Sequence, residues 1–172
     1  MRRILVIGSG GAGKSTLAVQ LGKMLALPVI HLDRLYWYGD WQHLDNASFD
    51  EKLAAELEKP AWVIDGNYNR TLPWRLACCD AVIYLDYPVY TCLWGVVRRV
   101  RRYRGAVRPD MGGGCKERMD AKFLRWIYTF RRKTRPQILE LLDGVSADVA
   151  VYRFTNRRQT EKFLGEIKRS EG

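Results

Sequence analysis

Long apolar runs are missing from the sequence, and this absence limits where the protein can reside. No stretch of about 18 consecutive apolar residues occurs, so we expect no membrane-spanning helix. The apolar residues 4–7 are too few for a signal peptide, and they lead directly into a glycine-rich segment. We therefore predict a cytoplasmic protein with no membrane partner.

Cysteine and histidine are also scarce. The few that occur have no C-x-x-C spacing: Cys78, Cys79, Cys92 and Cys115, with His31 and His43. This pattern argues against a structural zinc site and favours reduced thiols, which are typical of the cytoplasm.

Acidic residues are scarce in one part of the chain only. Residues 98–135, here called the basic segment, contain 14 Lys or Arg and three Asp or Glu. The remainder is close to neutral, and the whole chain has a net charge of +10. Because a solvated face normally mixes both signs, we favour an anion-binding role for the basic segment over a merely solvated surface.

A glycine-rich segment, GSGGAGKST at residues 8–16, lies between an apolar run and a helical pattern. A strand, a glycine-rich turn and a helix form the setting in which G-x-x-x-x-G-K-[ST] binds a nucleoside triphosphate. We expect Lys14 to reach the β- and γ-phosphates and the Ser15 hydroxyl to ligate Mg²⁺. The predicted ATP-binding residues are Gly8, Gly10, Gly11, Ala12, Gly13, Lys14, Ser15 and Thr16.

Four further apolar runs alternate with helical patterns and predict a parallel sheet of five strands, covered by helices on both faces. They lie at residues 29–33, 62–66, 80–86 and 148–154. Asp33, Asp65 and Asp86 fall at the carboxyl ends of three runs, where such sheets bind ligands. We expect a magnesium and acceptor site there, and the sequence does not say which aspartate serves Mg²⁺. At 172 residues, we expect one α/β domain, residues 1–172.

An aromatic segment, residues 34–46, follows the second predicted strand. Its rings either pack over the sheet or form a flap that contacts a substrate, and the residue types leave both possibilities open. Ser48 is predicted to cap the next helix, with Glu51 completing a capping box.

Several motifs together resemble the topology modulation protein family, small P-loop proteins related to adenylate kinase. They are the phosphate loop, HLD at 31–33, IDGNYNRT at 64–71, YRGAVRPDMGGGC at 103–115 and KFLRWIYTF at 122–130. The resemblance covers nearly the whole chain. It implies a three-layer P-loop fold of the nucleoside and nucleotide kinase type, with strand order 2-3-1-4-5.

The resemblance also implies an arginine-rich lid, here called the lid segment, at about residues 98–120. The pair Asp65-Gly66 looks like the Asp-Gly of nucleoside monophosphate kinases and implies an acceptor site. Asn67-Tyr68 then departs from the Phe-Pro-Arg of adenylate kinase, which argues against AMP as the acceptor. The family name asserts an effect on DNA topology, whereas the motifs look like those of a small-molecule phosphotransferase.

The first functional hypothesis is ATP-dependent transfer of the γ-phosphoryl group to a small acceptor, possibly a nucleoside or nucleotide. Such a reaction depends on positioning and charge stabilisation. We predict that Lys14 binds the triphosphate and that Mg²⁺ is bound by Ser15 and, through water, by Asp65. Asp33 would bind and activate the acceptor, and Arg104 and Arg108 would stabilise the developing charge. The remaining predicted acceptor-binding residues are Asp65, Gly66 and either Arg70 or Arg75.

The second hypothesis is an ATPase that binds nucleic acid through the basic segment, whose rings would stack on bases. The spacing of Phe123, Ile127 and Phe130 instead predicts that most of those rings belong to the core. A third possibility is an ATP-dependent switch with only slow hydrolysis. The sequence identifies neither the acceptor nor the oligomeric state.

Overall fold

A computed structural model describes residues 1–170 of the chain. Seven strands occur in this range: β1 Arg3–Gly8, β2 Val29–His31, β3 Trp37–Tyr38, β4 Gln42–His43, β5 Trp62–Asp65, β6 Ala81–Leu85 and β7 Ala150–Phe154. Eight α-helices accompany them: α1 Lys14–Met24, α2 Leu32–Tyr36, α3 Asn46–Leu57, α4 Leu72–Cys78, α5 Val89–Tyr103, α6 Ala121–Lys133, α7 Arg135–Asp143 and α8 Arg157–Ser170. A short 3-10 helix, Asn69–Thr71, precedes α4.

Five strands form one parallel sheet in the order β2-β5-β1-β6-β7. When only these five are numbered along the chain, the order is 2-3-1-4-5, so the predicted α/β fold and strand order are confirmed. The strands β1, β5 and β6 are buried almost throughout, because helices cover both faces of the sheet. Their continuous apolar character reflects this double covering.

The alternation of side chains along β1 divides the core into two layers. Leu5 and Ile7 point to one face, where they pack with residues of α3, α4, α6 and α7. Ile4 and Val6 point to the other face and pack with α1, α5, α6 and α8. These four side chains of β1 are fully buried, so the strand fixes the position of the phosphate loop that follows it.

The aromatic segment forms the end of a short helix and a small hairpin, and its Tyr36 ring packs against the core. Strand β2 ends at His31, and α2 begins at Leu32, so Asp33 lies in the first turn of a short helix and not at a strand end. Strands β3 and β4 pair antiparallel. The prediction of a Ser48 cap was wrong: Asp45 is the cap, and its carboxylate accepts a hydrogen bond from the Ser48 N–H group at 2.9 Å.

The chain between α5 and α6 folds back on itself and covers this hairpin. Val107 and Lys116 form an antiparallel bridge. The Trp41 indole donates a hydrogen bond to the Lys116 carbonyl at 3.1 Å, and a side chain on Gly112 would collide with the Trp37 carbonyl. Asp120 caps α6, and its carboxylate accepts hydrogen bonds from the N–H groups of Lys122 and Phe123. Within residues 1–170, no helix is both long enough and apolar enough to cross a membrane.

Candidate active site

The glycine-rich segment forms a tight loop between β1 and α1. Gly11 and Gly13 have φ angles of 76° and 97°, a region that side chains disfavour, and α1 begins directly at Lys14. The helix amino terminus and the loop N–H groups thus converge on one concave surface. On the opposite side, the Gly8 N–H group donates to the Asn67 side-chain oxygen at 3.3 Å, which connects the loop to the segment after β5.

Helix α5 lies directly against the phosphate loop. A methyl group on Gly95 would come within 2.0 Å of the Gly11 carbonyl oxygen, and one on Gly11 within 2.1 Å of the Cys92 carbonyl oxygen. Phe123 of α6 closes the neighbouring side, because its ring would meet a methyl group on Gly10 at 2.4 Å. The shape of the loop therefore depends on two helices outside the motif.

We expect Gly95→Ala to separate α5 from the phosphate loop. The added methyl group meets backbone, which cannot rotate away, so the free energy of unfolding should fall by about 1–3 kcal/mol and ATP affinity should fall with it. Gly165→Ala in α8 is the matched control, because nothing lies within 4 Å of its added methyl group. Chemical denaturation and nucleotide titration of both variants test this. Equal stability of the two variants would contradict the contact.

Lys14 lies at the base of the loop, with its ammonium group donating to the Ser9 carbonyl at 3.1 Å. Burial lowers the pKa of Lys14 below its ordinary value, while the charges of Asp33 and Asp65 act in the opposite direction. Lys14 is partly buried and lines the cavity, so its ammonium group can bind an anion in place of its present partner, the Ser9 carbonyl.

Ser15 and Asp65 form a pair with oxygen donors. The Ser15 hydroxyl donates to one Asp65 carboxylate oxygen at 2.7 Å, and His31 hydrogen-bonds to the other. Burial tends to lower the pKa of His31, but the bond to Asp65 and the charges of Asp65 and Asp110 raise it overall. The pair fits Mg²⁺, which prefers hard oxygen ligands and completes its shell with water and phosphate. No cluster of three or more potential metal-binding side chains occurs in residues 1–170.

Asp33 faces the same space from α2. Its carboxylate accepts a hydrogen bond from the Tyr68 hydroxyl at 2.8 Å. Burial raises the pKa of Asp33 above the ordinary value, although Lys14 and the Tyr68 hydrogen bond oppose this shift. Burial and the Asp33 carboxylate raise the pKa of Tyr68, so its hydroxyl remains protonated and continues to donate. The Tyr68 hydroxyl thus orients the Asp33 carboxylate through one oxygen, and the second oxygen can bind a ligand.

The lid segment contributes a network of buried charges. The Arg108 guanidinium contacts Glu117 at 2.6 Å and Asp110 at 2.8 Å, and Arg99 of α5 contacts the same Glu117 at 3.1 Å. Arg108 and Glu117 are only 7% and 4% exposed. Arg104 is exposed to solvent and does not line the cavity. The structure thus brings Arg108 to the site but not Arg104, whose backbone forms a bridge with Glu117 while its side chain stays in solvent.

Arg70 and Arg75, the two predicted clamps for an acceptor anion, both point elsewhere. Arg70 forms two hydrogen bonds with Asp50 on α3, at 2.6 and 2.8 Å. Arg75 is fully buried and donates to the carbonyls of residues 66, 67 and 68. Burial lowers the pKa of Arg75 to about 9, so it stays charged at neutral pH. Arg75 therefore shapes the loop after β5 rather than binding an acceptor.

Asp86 also lies away from the site. It is 4% exposed and forms ion pairs with Arg135 at 2.9 Å and Arg153 at 2.7 Å. Of the three aspartates predicted at the strand ends, Asp33 lines the cavity, Asp65 lies directly behind Ser15, and Asp86 stabilises the opposite part of the sheet edge.

One cavity of about 760 Å³ joins these groups. The phosphate loop and residues of α1, α5, α6 and α8 line it, together with Asp33, Trp37, Gly66, Asn67 and Tyr68. The lining is rich in cations, namely Lys14, Arg98, Arg99, Arg102, Arg108 and Arg157, against the acids Asp33, Asp110 and Glu161. The rings of Phe123 and Trp126 of α6 also line the cavity. Its volume is typical of a site for small molecules.

Few of the rings in the basic segment are free to stack on bases. Ile127 and Phe130 are buried in the core, as their spacing predicts. Phe123 and Trp126 face the cavity, and Tyr128 is the ring with a large exposed fraction, 69%. This arrangement fits a nucleotide cavity better than an extended nucleic-acid surface.

Sequence reasoning missed several residues of the site: His31 as a partner of Asp65, Trp37, Asn67 and Tyr68 as cavity residues, Gly95 as a contact of the loop, and Arg99, Asp110 and Glu117 as partners of Arg108. One signal was available. The basic segment contains only three acids, and two of them, Asp110 and Glu117, are the partners of Arg108.

Solved structures of kinases share this fold. The chain is similar to shikimate kinase from Acinetobacter baumannii in complex with shikimate, with a TM-score of 0.60 and 20% identity over 99% of this chain and 94% of that one. Shikimate kinase from Bacteroides thetaiotaomicron matches with a TM-score of 0.56 and 18% identity over 98% and 97% of the two chains. A protein designated a kinase, from Chloroflexus aurantiacus, matches with a TM-score of 0.53 and 16% identity over 98% of each chain.

These likenesses show a P-loop fold of the kinase type. No family model and no curated protein matches the chain, so nothing among the comparisons supports the topology modulation family specifically. Nor do they support binding to nucleic acid.

Proposed function

We propose that the protein is an ATP-dependent phosphotransferase that transfers the γ-phosphoryl group to a small hydroxyl-bearing acceptor. The observation that carries this proposal is the position of Asp33, which lines the same cavity as Lys14 and the phosphate loop. Its carboxylate is oriented by Tyr68, and a switch or simple ATPase would not need such a group at this place. The kinase folds of the similar structures agree with this function.

We assign each residue of the site a separate role in the reaction. The loop amides and Lys14 bind the triphosphate, and Asp33 orients the acceptor hydroxyl and takes its proton as the new P–O bond forms. Arg108 stabilises the charge that develops on the transferred group. Ser15 and Asp65 would hold Mg²⁺, which when bound neutralises phosphate charge. We assign residues 98–120 as the lid, within a single domain.

A screen of candidate acceptors tests the proposed function. We expect ADP release from ATP to rise at least about tenfold when the true acceptor is added, because transfer requires the second substrate in place. Nucleosides, nucleoside monophosphates, sugars and hydroxy acids form the panel, and phosphorylated product is identified by mass. ATP hydrolysis at one constant rate, with no phosphorylated product from any member, would contradict a transferase.

Replacing Lys14 with alanine should lower turnover by about 10² to 10³-fold, because a preorganised cation at the β- and γ-phosphates is lost. Lys23→Ala is the matched control, since Lys23 lies exposed near the other end of the same helix. Steady-state ADP release with acceptor present is the measurement. Turnover of Lys14→Ala equal to that of Lys23→Ala would exclude the phosphate loop as the reaction site.

A further inference from the structure

The turn of the small hairpin contains an unfavourable backbone conformation. Asp40 and Trp41 have φ angles of 41° and 63°, in the left-handed region that a bulky side chain rarely adopts. The turn closes with a hydrogen bond from the Gln42 N–H group to the Gly39 carbonyl at 2.9 Å. A glycine at position 41 would adopt this conformation without a steric penalty, so contacts of the Trp41 side chain must compensate for it.

Those contacts join the hairpin to the lid segment. The Trp41 indole N–H group donates to the Lys116 carbonyl at 3.1 Å, and the Arg118 guanidinium lies over the Trp41 ring, 5.5 Å from its centre. Trp41 thus contacts the residues on both sides of Glu117. Within the hairpin, its ring packs against the Trp37 ring, with the two ring centres 5.7 Å apart.

Two glycines allow the backbone of the lid segment to lie directly against the hairpin. A methyl group on Gly112 would collide with the Trp37 carbonyl oxygen, and one on Gly114 would come within 2.9 Å of the Gly39 Cα atom. The contact is therefore made by backbone as well as by the Trp41 side chain. A side chain at Gly112 would separate the two segments.

Glu117 connects this contact to the cavity. Its carboxylate holds Arg108 at 2.6 Å and Arg99 at 3.1 Å, and the residue is only 4% exposed. Its N–H group donates to the Ala106 carbonyl at 2.9 Å, which ties its backbone to the stretch that leads to Arg108. A shift of residues 116–118 would therefore move the carboxylate that orients Arg108.

We propose that Trp41 is a positioning residue, which acts on phosphoryl transfer through residues 116–118 and the orientation of Arg108. Trp41 does not line the cavity, whereas Arg108 does. Loss of Trp41 should therefore lower kcat and leave KM for ATP nearly unchanged. This inference rests on the proposed function, which assigns Arg108 its role but not the residues that hold the lid segment against the hairpin.

Trp41→Gly tests the inference, because glycine accommodates the turn conformation while both contacts with the lid segment are lost. With ATP and the acceptor found in the screen, we expect kcat to fall at least about tenfold and KM for ATP to change by less than about twofold. Gly112→Ala should have the same effect from the other side of the contact. Gly39→Ala is the matched control, since its added methyl group meets nothing within 4 Å, and it should keep the wild-type kcat. A wild-type kcat in folded Trp41→Gly would overturn the inference.

A double-mutant cycle shows whether Trp41 acts through Arg108. If it does, adding Trp41→Gly to Arg108→Lys should lower kcat by less than about twofold further, because the orientation that Trp41 maintains no longer matters. A further loss as large as that in the wild-type background would mean that Trp41 acts independently of Arg108, and the inference would then be wrong.

Hydrogen exchange separates failure of this inference from failure of the proposed function. With no acceptor present, amides of residues 105–118 should exchange at least about tenfold faster in Trp41→Gly than in the wild-type protein. Unchanged exchange would remove the inference and leave the transferase intact. No transfer to any acceptor would contradict the proposed function, and the inference with it, whatever the exchange rates are.

Discussion

Replacing Arg108 with alanine is expected to lower kcat by about 10³ to 10⁵-fold, while KM for ATP changes far less. Phosphoryl transfer places negative charge on the oxygens of the transferred group, and a fixed guanidinium stabilises that charge only in the transition state. Arg108 is prepared for this role because Asp110 and Glu117 hold its orientation in the cavity. Steady-state kinetics with the acceptor found in the screen gives the two parameters separately.

The control must separate lost chemistry from lost structure. Removing one member of a buried ion-pair network can cost about 3–5 kcal/mol of stability. Arg108→Lys keeps the charge without the fork, so it should fold well and still lose much of kcat. Arg101→Ala removes an exposed arginine of the neighbouring helix and should be unaffected in both respects. A folded Arg108→Lys protein with the wild-type kcat would contradict the role of this residue.

Replacing Asp33 with asparagine should lower kcat by about 10² to 10⁴-fold, because the amide cannot accept the proton of the acceptor hydroxyl. The pH dependence gives a second, independent signature. Burial raises the pKa of Asp33, so in the wild-type protein activity rises with pH as this carboxyl loses its proton, at a pH above the ordinary carboxyl range. In Asp33→Asn this acidic limb should disappear.

Asp40→Asn is the matched control for Asp33. Asp40 is an exposed carboxylate in the turn of the small hairpin, so its replacement should leave both kcat and the acidic limb unchanged. An Asp33→Asn variant with the full wild-type rate, or with the same acidic limb, would show that another group takes the proton.

The fold could be predicted because its signals are local. The strand, the glycine-rich loop and the first helix are each encoded within a few residues, and the alternation of apolar runs with helical patterns specifies a parallel sheet. The phosphate loop follows from the same signals. The predicted ends of strands and helices differ from the observed ones where tertiary contacts intervene. Strand β2 ends at His31 and not at residue 33, because α2 begins at Leu32 and turns Asp33 toward the cavity.

The partners of the charged residues could not be predicted in the same way. Arg70, Arg75, Arg104 and Arg108 look alike in the sequence, yet only Arg108 reaches the cavity. Which arginine is free depends on contacts between distant elements, such as Arg70 with Asp50 on α3. A residue type carries no information about its long-range partner, so the sequence could not tell which of these arginines is bound to a carboxylate and which lines the cavity.

The contact between Gly11 and Gly95 has a mechanical consequence. Gly95 lies eight residues before the end of α5, so the part of that helix beyond the contact spans about 12 Å and ends where the chain turns toward Arg108. A tilt of the helix by about 10° at Gly95 would displace its far end by roughly 2 Å, because a helix moves as a rigid rod. Any shift of the loop backbone at Gly11 would therefore be amplified along α5, and the arginines at the far end of this helix would move further than the loop itself.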